Sequence, residues 1–212
     1  GIVTARGLSI FGNTTGLQVA SGISTFQALT ATTIVSSSTI NGITVSKGAN
    51  SVTNNTAVGL NALDASVTGD NNVAIGKAAL GSMTSGANNT AVGSEVLDSL
   101  TTGANNTAVG YQAMTDQTTG SDNSAFGKGA LANNTTANSN CAFGSNALFT
   151  QTTSGTKNCG FGNQTLYSNT TGDSNVAIGD AALYTNTTGS ENIAIGDYAM
   201  GANTTGAYNV AI

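Results

Sequence analysis

Apolar residues recur along most of this chain at a nearly constant interval. They sit in a phrase that reads Asn, any residue, Ala, an apolar residue, Gly. Its Asn falls at Asn55, Asn72, Asn89, Asn106, Asn123, Asn140, Asn158, Asn175, Asn192 and Asn209, always 17 residues apart except for one step of 18 between Asn140 and Asn158. A unit this short cannot bury a hydrophobic face alone, so units must stack and share one continuous core. In the unit from Asn106 the alternation of Asn106-Thr107-Ala108-Val109-Gly110 predicts a strand. Ala113 and Met114 predict a second short β segment, and Thr118-Thr119-Gly120 a turn in which glycine takes a positive φ. The Thr-Thr-Gly turn recurs at Thr101-Thr102-Gly103, Thr170-Thr171-Gly172, Thr187-Thr188-Gly189 and Thr204-Thr205-Gly206. The one extra residue falls between Leu148 and Gly155, inside this turn, where loops absorb insertions.

One unit per coil places equivalent residues in columns along a rod, at a strand spacing of about 4.8 Å. The expected architecture is an all-β parallel solenoid, or β-roll, of 17-residue coils. Two columns predict its core. The first holds Val58, Ile75, Val92, Val109, Phe126, Phe143, Phe161, Ile178 and Ile195, and its three Phe should stack as neighbours. The second holds Leu63, Leu80, Leu97, Met114, Leu131, Leu148, Leu166, Leu183 and Met200. Gly160 replaces the usual Ala beside Phe161, which reads as room for the ring. The other side of the strand carries Ala57, Ala74, Ala91 and Ala108 alternating with Gly59, Gly76, Gly93 and Gly110. A bare Ala/Gly stripe without polar side chains predicts close approach of another surface. Three chains packing those stripes around one axis would cover them, so the expected assembly is a homotrimer.

Residues 1–50 lack the phrase and read as an irregular β-rich connector; 51–212 read as the repeat shaft. Short β segments are expected at Gly7–Phe11, Leu17–Ala20 and Thr33–Val35, with the Ser/Thr-rich Ser21–Ser38 extended or wrapped around partner chains. Thr39-Ile40 and Ile43-Thr44-Val45 flank Asn41-Gly42, a hairpin signal.

Composition narrows the function classes. Only 7% of residues are charged, Pro is absent, and the net charge is −5 with five basic residues. No basic patch exists to neutralise phosphates, so a nucleic-acid partner is not expected. No stretch approaches the about 18 apolar residues of a membrane helix, and no signal-like segment opens the chain. The last phrase stops at Ile212 before its Gly, so both ends read as cut from a longer protein. Cys141 and Cys159 share one slot in consecutive units; buried thiols are the expected reading, and a disulfide between adjacent strands the alternative.

Asn175-Val176-Ala177-Ile178-Gly179 and Asn192-Ile193-Ala194-Ile195-Gly196 resemble the head repeats of trimeric autotransporter adhesins. That resemblance implies a trimeric, left-handed parallel β-roll. The longer phrase, Asn-Thr-Ala-Val-Gly then Ala-Leu then Thr-Thr-Gly, is similar to fibre proteins of tailed phages, as is the run Thr39 to Gly48 leading into it. The likeness spans about residues 39–212; the 17-residue unit is somewhat longer than the adhesin one, which leaves the turn geometry open.

The likeness implies a structural shaft of a viral tail fibre on a virion, with other fibre or tail proteins and a host-surface receptor, protein or glycan, as partners. The alternative is the head of a bacterial surface adhesin, and an ice-binding solenoid stands third because the Thr lie in a turn. No catalytic residue, cofactor or metal is expected. There is no His, and Asp64, Asp98, Asp116, Asp122, Asp173 and Asp180 are scattered over turns without a cleft. Gly69-Asp70-Asn71-Asn72 reads as a plain turn rather than a Ca²⁺ loop. Asn88-Asn89-Thr90 matches a glycosylation sequon, a weak match in so Asn/Thr-rich a repeat. The Asn column predicts amide ladders along the rod. The exposed Tyr111, Tyr167, Tyr184 and Tyr198 either contact sugars or merely decorate the surface, and the sequence does not choose between the two.

Overall fold

Ten copies of the phrase give ten parallel strands, and the computed structural model stacks them in sequence order. It describes residues 38–40, 43–48, 52, 54–150 and 154–212, all within one compact unit, Val35–Ile212. The segments expected at Gly7–Phe11, Leu17–Ala20 and Thr33–Val35, and nearly all of Ser21–Ser38, lie outside the described residues. The strands are β1 Ser38–Ile40, β2 Ile43–Ser46, β3 Thr56–Val58, β4 Val73–Ile75, β5 Thr90–Val92, β6 Thr107–Val109, β7 Ser124–Phe126, β8 Cys141–Phe143, β9 Cys159–Phe161, β10 Val176–Ile178, β11 Ile193–Ile195 and β12 Val210–Ala211. They form one 12-stranded sheet in the order β1 to β12. The first two make the expected hairpin, antiparallel with Ile40 opposite Ile43. The second pairs antiparallel with β3 and joins the hairpin to the stack. From β3 onward every pair is parallel and in register, Ala57 on Ala74, Ala74 on Ala91, and so on. The chain is therefore a β-solenoid of about nine turns.

Each complete coil has one three-residue strand; the second β segment expected around Ala113 and Met114 is instead a pair of turns. Gln112 (φ 55), Met114 (φ 52) and Asp122 (φ 61) take left-handed backbone, and their counterparts do so in coil after coil. That conformation costs L-residues about 1–2 kcal/mol each. The stack offsets it, because each such N–H donates to a neighbouring coil: Gln112 N to Ser94 O at 3.1 Å, Met114 N to Ala130 O at 2.9 Å and Asp122 N to Ala104 O at 3.0 Å. The turns thus carry an inter-coil ladder of their own.

Burial inverts the expected faces of the strand. Ala57, Ala74, Ala91 and Ala108, expected to face other subunits, are at most 1% exposed and fill the interior of their own coil. The column expected as core faces outward: Ile75, Phe161, Ile178 and Ile195 are exposed, and Val58, Val92, Val109, Phe126 and Phe143 are only partly buried. The reason is volume. The narrow interior is already filled from the opposite wall by Leu63, Leu80, Leu97, Met114, Leu131, Leu148, Leu166 and Leu183, all fully buried as expected. Only a methyl group fits between them and the strand.

The glycines also have an intrachain cause. Gly110 has φ +132, and a Cβ there would lie 2.5 Å from Gly127 O and 2.7 Å from Gly127 C. The Gly59, Gly76, Gly93 and Gly110 column is thus required by the next coil of the same chain rather than by a partner. In the Thr-Thr-Gly corner, Gly120 lies outside the left-handed region, contrary to expectation; a Cβ there would come within 2.5 Å of Ala137 O. Close backbone approach, not φ, selects glycine at that corner.

Candidate interaction face

The interior is polar as well as apolar, and its amides hold the stack in register. Asn106 donates from Nδ2 to Asn89 Oδ1 at 3.1 Å and to Gly120 O at 2.9 Å. Its Oδ1 accepts from Asn123 N at 3.0 Å and Asn123 Nδ2 at 3.2 Å. The same pattern runs from Asn55 to Asn209, so the expected ladder is present and lies inside the coil. A second ladder was not anticipated. Met83 and Leu100 give way in their column to Gln117 and Asn134, then to Asn169, Asn186 and Asn203. Asn134 Nδ2 donates to Gln117 Oε1, Asn186 Nδ2 to Asn169 Oδ1 and Asn203 Nδ2 to Asn186 Oδ1. The signal was a recurrent amide just before each Thr-Thr pair from Thr118-Thr119 onward, three residues ahead of a buried glycine or alanine carbonyl that accepts from it.

With Ala turned inward, both flanking strand residues turn outward and set the character of the sheet's outer face. One column is Thr56, Val73, Thr90, Thr107, Ser124, Cys141, Cys159, Val176, Ile193 and Val210; the other runs from Val58 to Ile195. Neither column holds a charged residue in any coil. Phe126, Phe143 and Phe161 stack on this face with ring centroids 4.5 and 4.9 Å apart and planes within 10°. Ile75, Ile178, Ile193 and Ile195 are about 37–41% exposed. Ten strands at about 4.8 Å make a strip about 43 Å long. Charges lie elsewhere on the coil; Lys77 and Glu95, for example, form an exposed ion pair at 3.6 Å. Parallel sheets are ordinarily covered on both faces. Here the inner face is covered by the coil's own turns, and among the described residues no element packs over the outer face.

Gly160 has a different partner from the one expected. Phe126 and Phe143 stand beside Ala125 and Ala142 without difficulty, so the ring does not require glycine. A Cβ on Gly160 would instead lie 2.7 Å from Thr165 Oγ1. Thr165 is fully buried at a slot that Ala147 and Ala182 fill in the adjacent coils.

Three further features complete the surface. Phe149, Tyr167 and Tyr184 form a second stack, at 5.2 and 5.1 Å, on the turn segment, while Tyr111 and Tyr198 are exposed singly. In the Thr-Thr corner the first hydroxyl is engaged along the stack, Thr101 Oγ1 donating to Thr118 O and Thr118 Oγ1 to Thr135 O, both at 3.0 Å. Burial and the Glu95 carboxylate raise the Asp98 pKa against the opposing pull of Lys77. Among the described residues no group of three His, Cys, Asp or Glu is placed to hold a metal ion, and no helix is long and apolar enough to cross a membrane. No family model matches the chain, and neither a curated protein nor a solved structure does.

Proposed function

We propose that the chain is a shaft segment of a viral tail fibre, assembled as a homotrimer through the outer face of its parallel sheet. One observation carries the reading: an uncharged, largely apolar strip follows the sheet through every coil while the charged side chains lie elsewhere on the coil. Exposed apolar strips of that extent, rimmed by polar residues, mark association surfaces. A strip with the same repeat as the rod suits copies of the rod lying alongside it, and closed rotational symmetry lets three strips meet on one axis. The trimer expected on the Ala/Gly stripe is therefore reassigned to the opposite side of the strand, with Val109, Phe126, Phe143 and Ile178 as its contacts.

A shaft needs a rigid, extendable element and no chemistry of its own, which in-register strands and two amide ladders provide. The resemblance of the repeat phrase to phage fibres supports the virion setting; the bacterial adhesin head shares the rod and the trimer and differs in location. Immunogold labelling with antibody against this chain separates them. Label along fibres of viral particles is expected. Label on bacterial cell surfaces with none on particles would overturn the fibre reading in favour of the adhesin.

A further inference from the structure

The slot after each ladder Asn holds Thr, Ser, Val or Ile except in β8 and β9, where it holds Cys141 and Cys159. These are direct register partners on adjacent strands. Both are free thiols, partly buried on the outer face. The backbone fixes them from both sides. Cys141 N donates to Asn158 O and Cys159 N to Asn175 O, each at 2.8 Å. Two residues along the same strands, Phe143 and Phe161 stack at 4.9 Å with planes 10° apart.

That spacing decides which chemistry fits. A disulfide prefers Cβ atoms about 3.8 Å apart, whereas in-register parallel neighbours hold them near the strand spacing of about 4.8 Å. Disulfide Cβ separations run from about 3.5 to 4.5 Å, so closing the bond would draw two coils together by roughly 0.3–1 Å against the Phe stack and the Asn ladder. A metal ion bonds each sulfur separately, so it bridges two thiolates at a wider separation than the about 2.05 Å of an S–S bond and asks less approach of the coils. We infer that Cys141 and Cys159 form a two-thiolate site for a soft, linearly coordinated cation, Cu(I) being the fitting class.

Soft thiolates select Cu(I) among the common metals. Zn²⁺ is disfavoured because it wants four ligands, and among the described residues no third His, Cys, Asp or Glu joins the pair. Ser124 and Val176 flank the pair in its column, so no fixed charge opposes a monovalent ion. Burial first, then the neighbouring Cys159, pushes the Cys141 thiol up to about 11. The Cys141 sulfur is therefore protonated at neutral pH. Binding breaks two S–H bonds, forms two S–Cu bonds and releases two protons to the buffer, with no change in oxidation state.

The test is anaerobic titration of the reduced full chain with Cu(I) against a chromogenic Cu(I) chelator at neutral pH. One ion per chain is expected, with a thiolate-to-copper ultraviolet band. Cys141→Ser and Cys159→Ser should each weaken binding by more than about 100-fold, beyond the roughly 10–100-fold that outer-shell changes cost. Serine already fills this slot at Ser124, so the variants are expected to fold. Failure to compete with the chelator, affinity unchanged in either variant, or one ion shared among several chains would overturn the intrachain bridge. A thiol count after mild oxidation adds a second arm. Two free thiols per chain are expected, and their loss to an intrachain disulfide would overturn the spacing argument.

Discussion

A single missing methyl group separates Gly160 from Ala142 and Ala177 on the strands either side, and Thr165 explains it. Gly160→Ala is expected to destabilise the chain, while the same change combined with Thr165→Ala restores most of the loss. The coupling should fall in the range of about 0.5–3 kcal/mol typical of residues in contact, read from denaturant midpoints of the two singles and the double. Strict additivity would break the link. The amides offer a harsher test. Asn106→Ala removes an acceptor of Gln117 Nε2 and Asn123 Nδ2, which keep Gly120 O and Ala137 O, and strips Asn123 N of its partner, at about 1–3 kcal/mol for a buried group left unpaired. Asn106→Asp should cost more, since it sets a carboxylate against Asn89 Oδ1 and Gly120 O in a fully buried slot. Cys141 gives a pH signature. Its folded pKa lies above its ordinary value of 9.0, at about 11, so its contribution to stability is complete below pH 9.0 and fades as pH rises through about 11. Over that window the wild-type melting temperature should fall further than that of Cys141→Ser; equal slopes would contradict the shift.

At the scale of the coil, the period, the strand after each Asn, the Leu column and the β1–β2 hairpin were all legible in the sequence. They rest on spacing and side-chain type, which local rules read well. Which face of the strand points inward was not. Val109 and Ala108 alternate equally under either assignment, and size alone suggested that the larger residue lies inside. Only the depth of the coil, closed from the far wall by Met114 and Leu131, shows that alanine is what fits. The left-handed Gln112 and Met114 were hidden for another reason: neither residue favours that backbone, and contacts with coils 17 residues away impose it. Gly110 is the sharpest probe at this scale. Gly110→Ala sets a Cβ against Gly127 O at a φ that L-residues rarely adopt, so a loss of more than about 1 kcal/mol is expected. It should appear as a lower unfolding midpoint whether or not the chain is associated. A normal midpoint with defective association would return this glycine to an interface role.

At the scale of the whole molecule, the candidate site was half legible. The apolar column from Val58 to Ile195 was visible as a line, but its role changed once the Ala column claimed the interior. A sheet that no other described element covers on its outer side leaves an uncharged strip that copies of the same rod can cover. One substitution tests this without touching the coil interior. Phe143→Asp changes an outward residue in mid-strip, so it should leave the β-sheet circular dichroism intact. Sedimentation equilibrium of wild type and Phe143→Asp side by side is the most direct measurement. The expected result is a mass of three 20.8 kDa chains for the wild type and a shift toward the single chain for the variant. A wild type that sediments as one chain, or a variant that stays trimeric, would contradict the account.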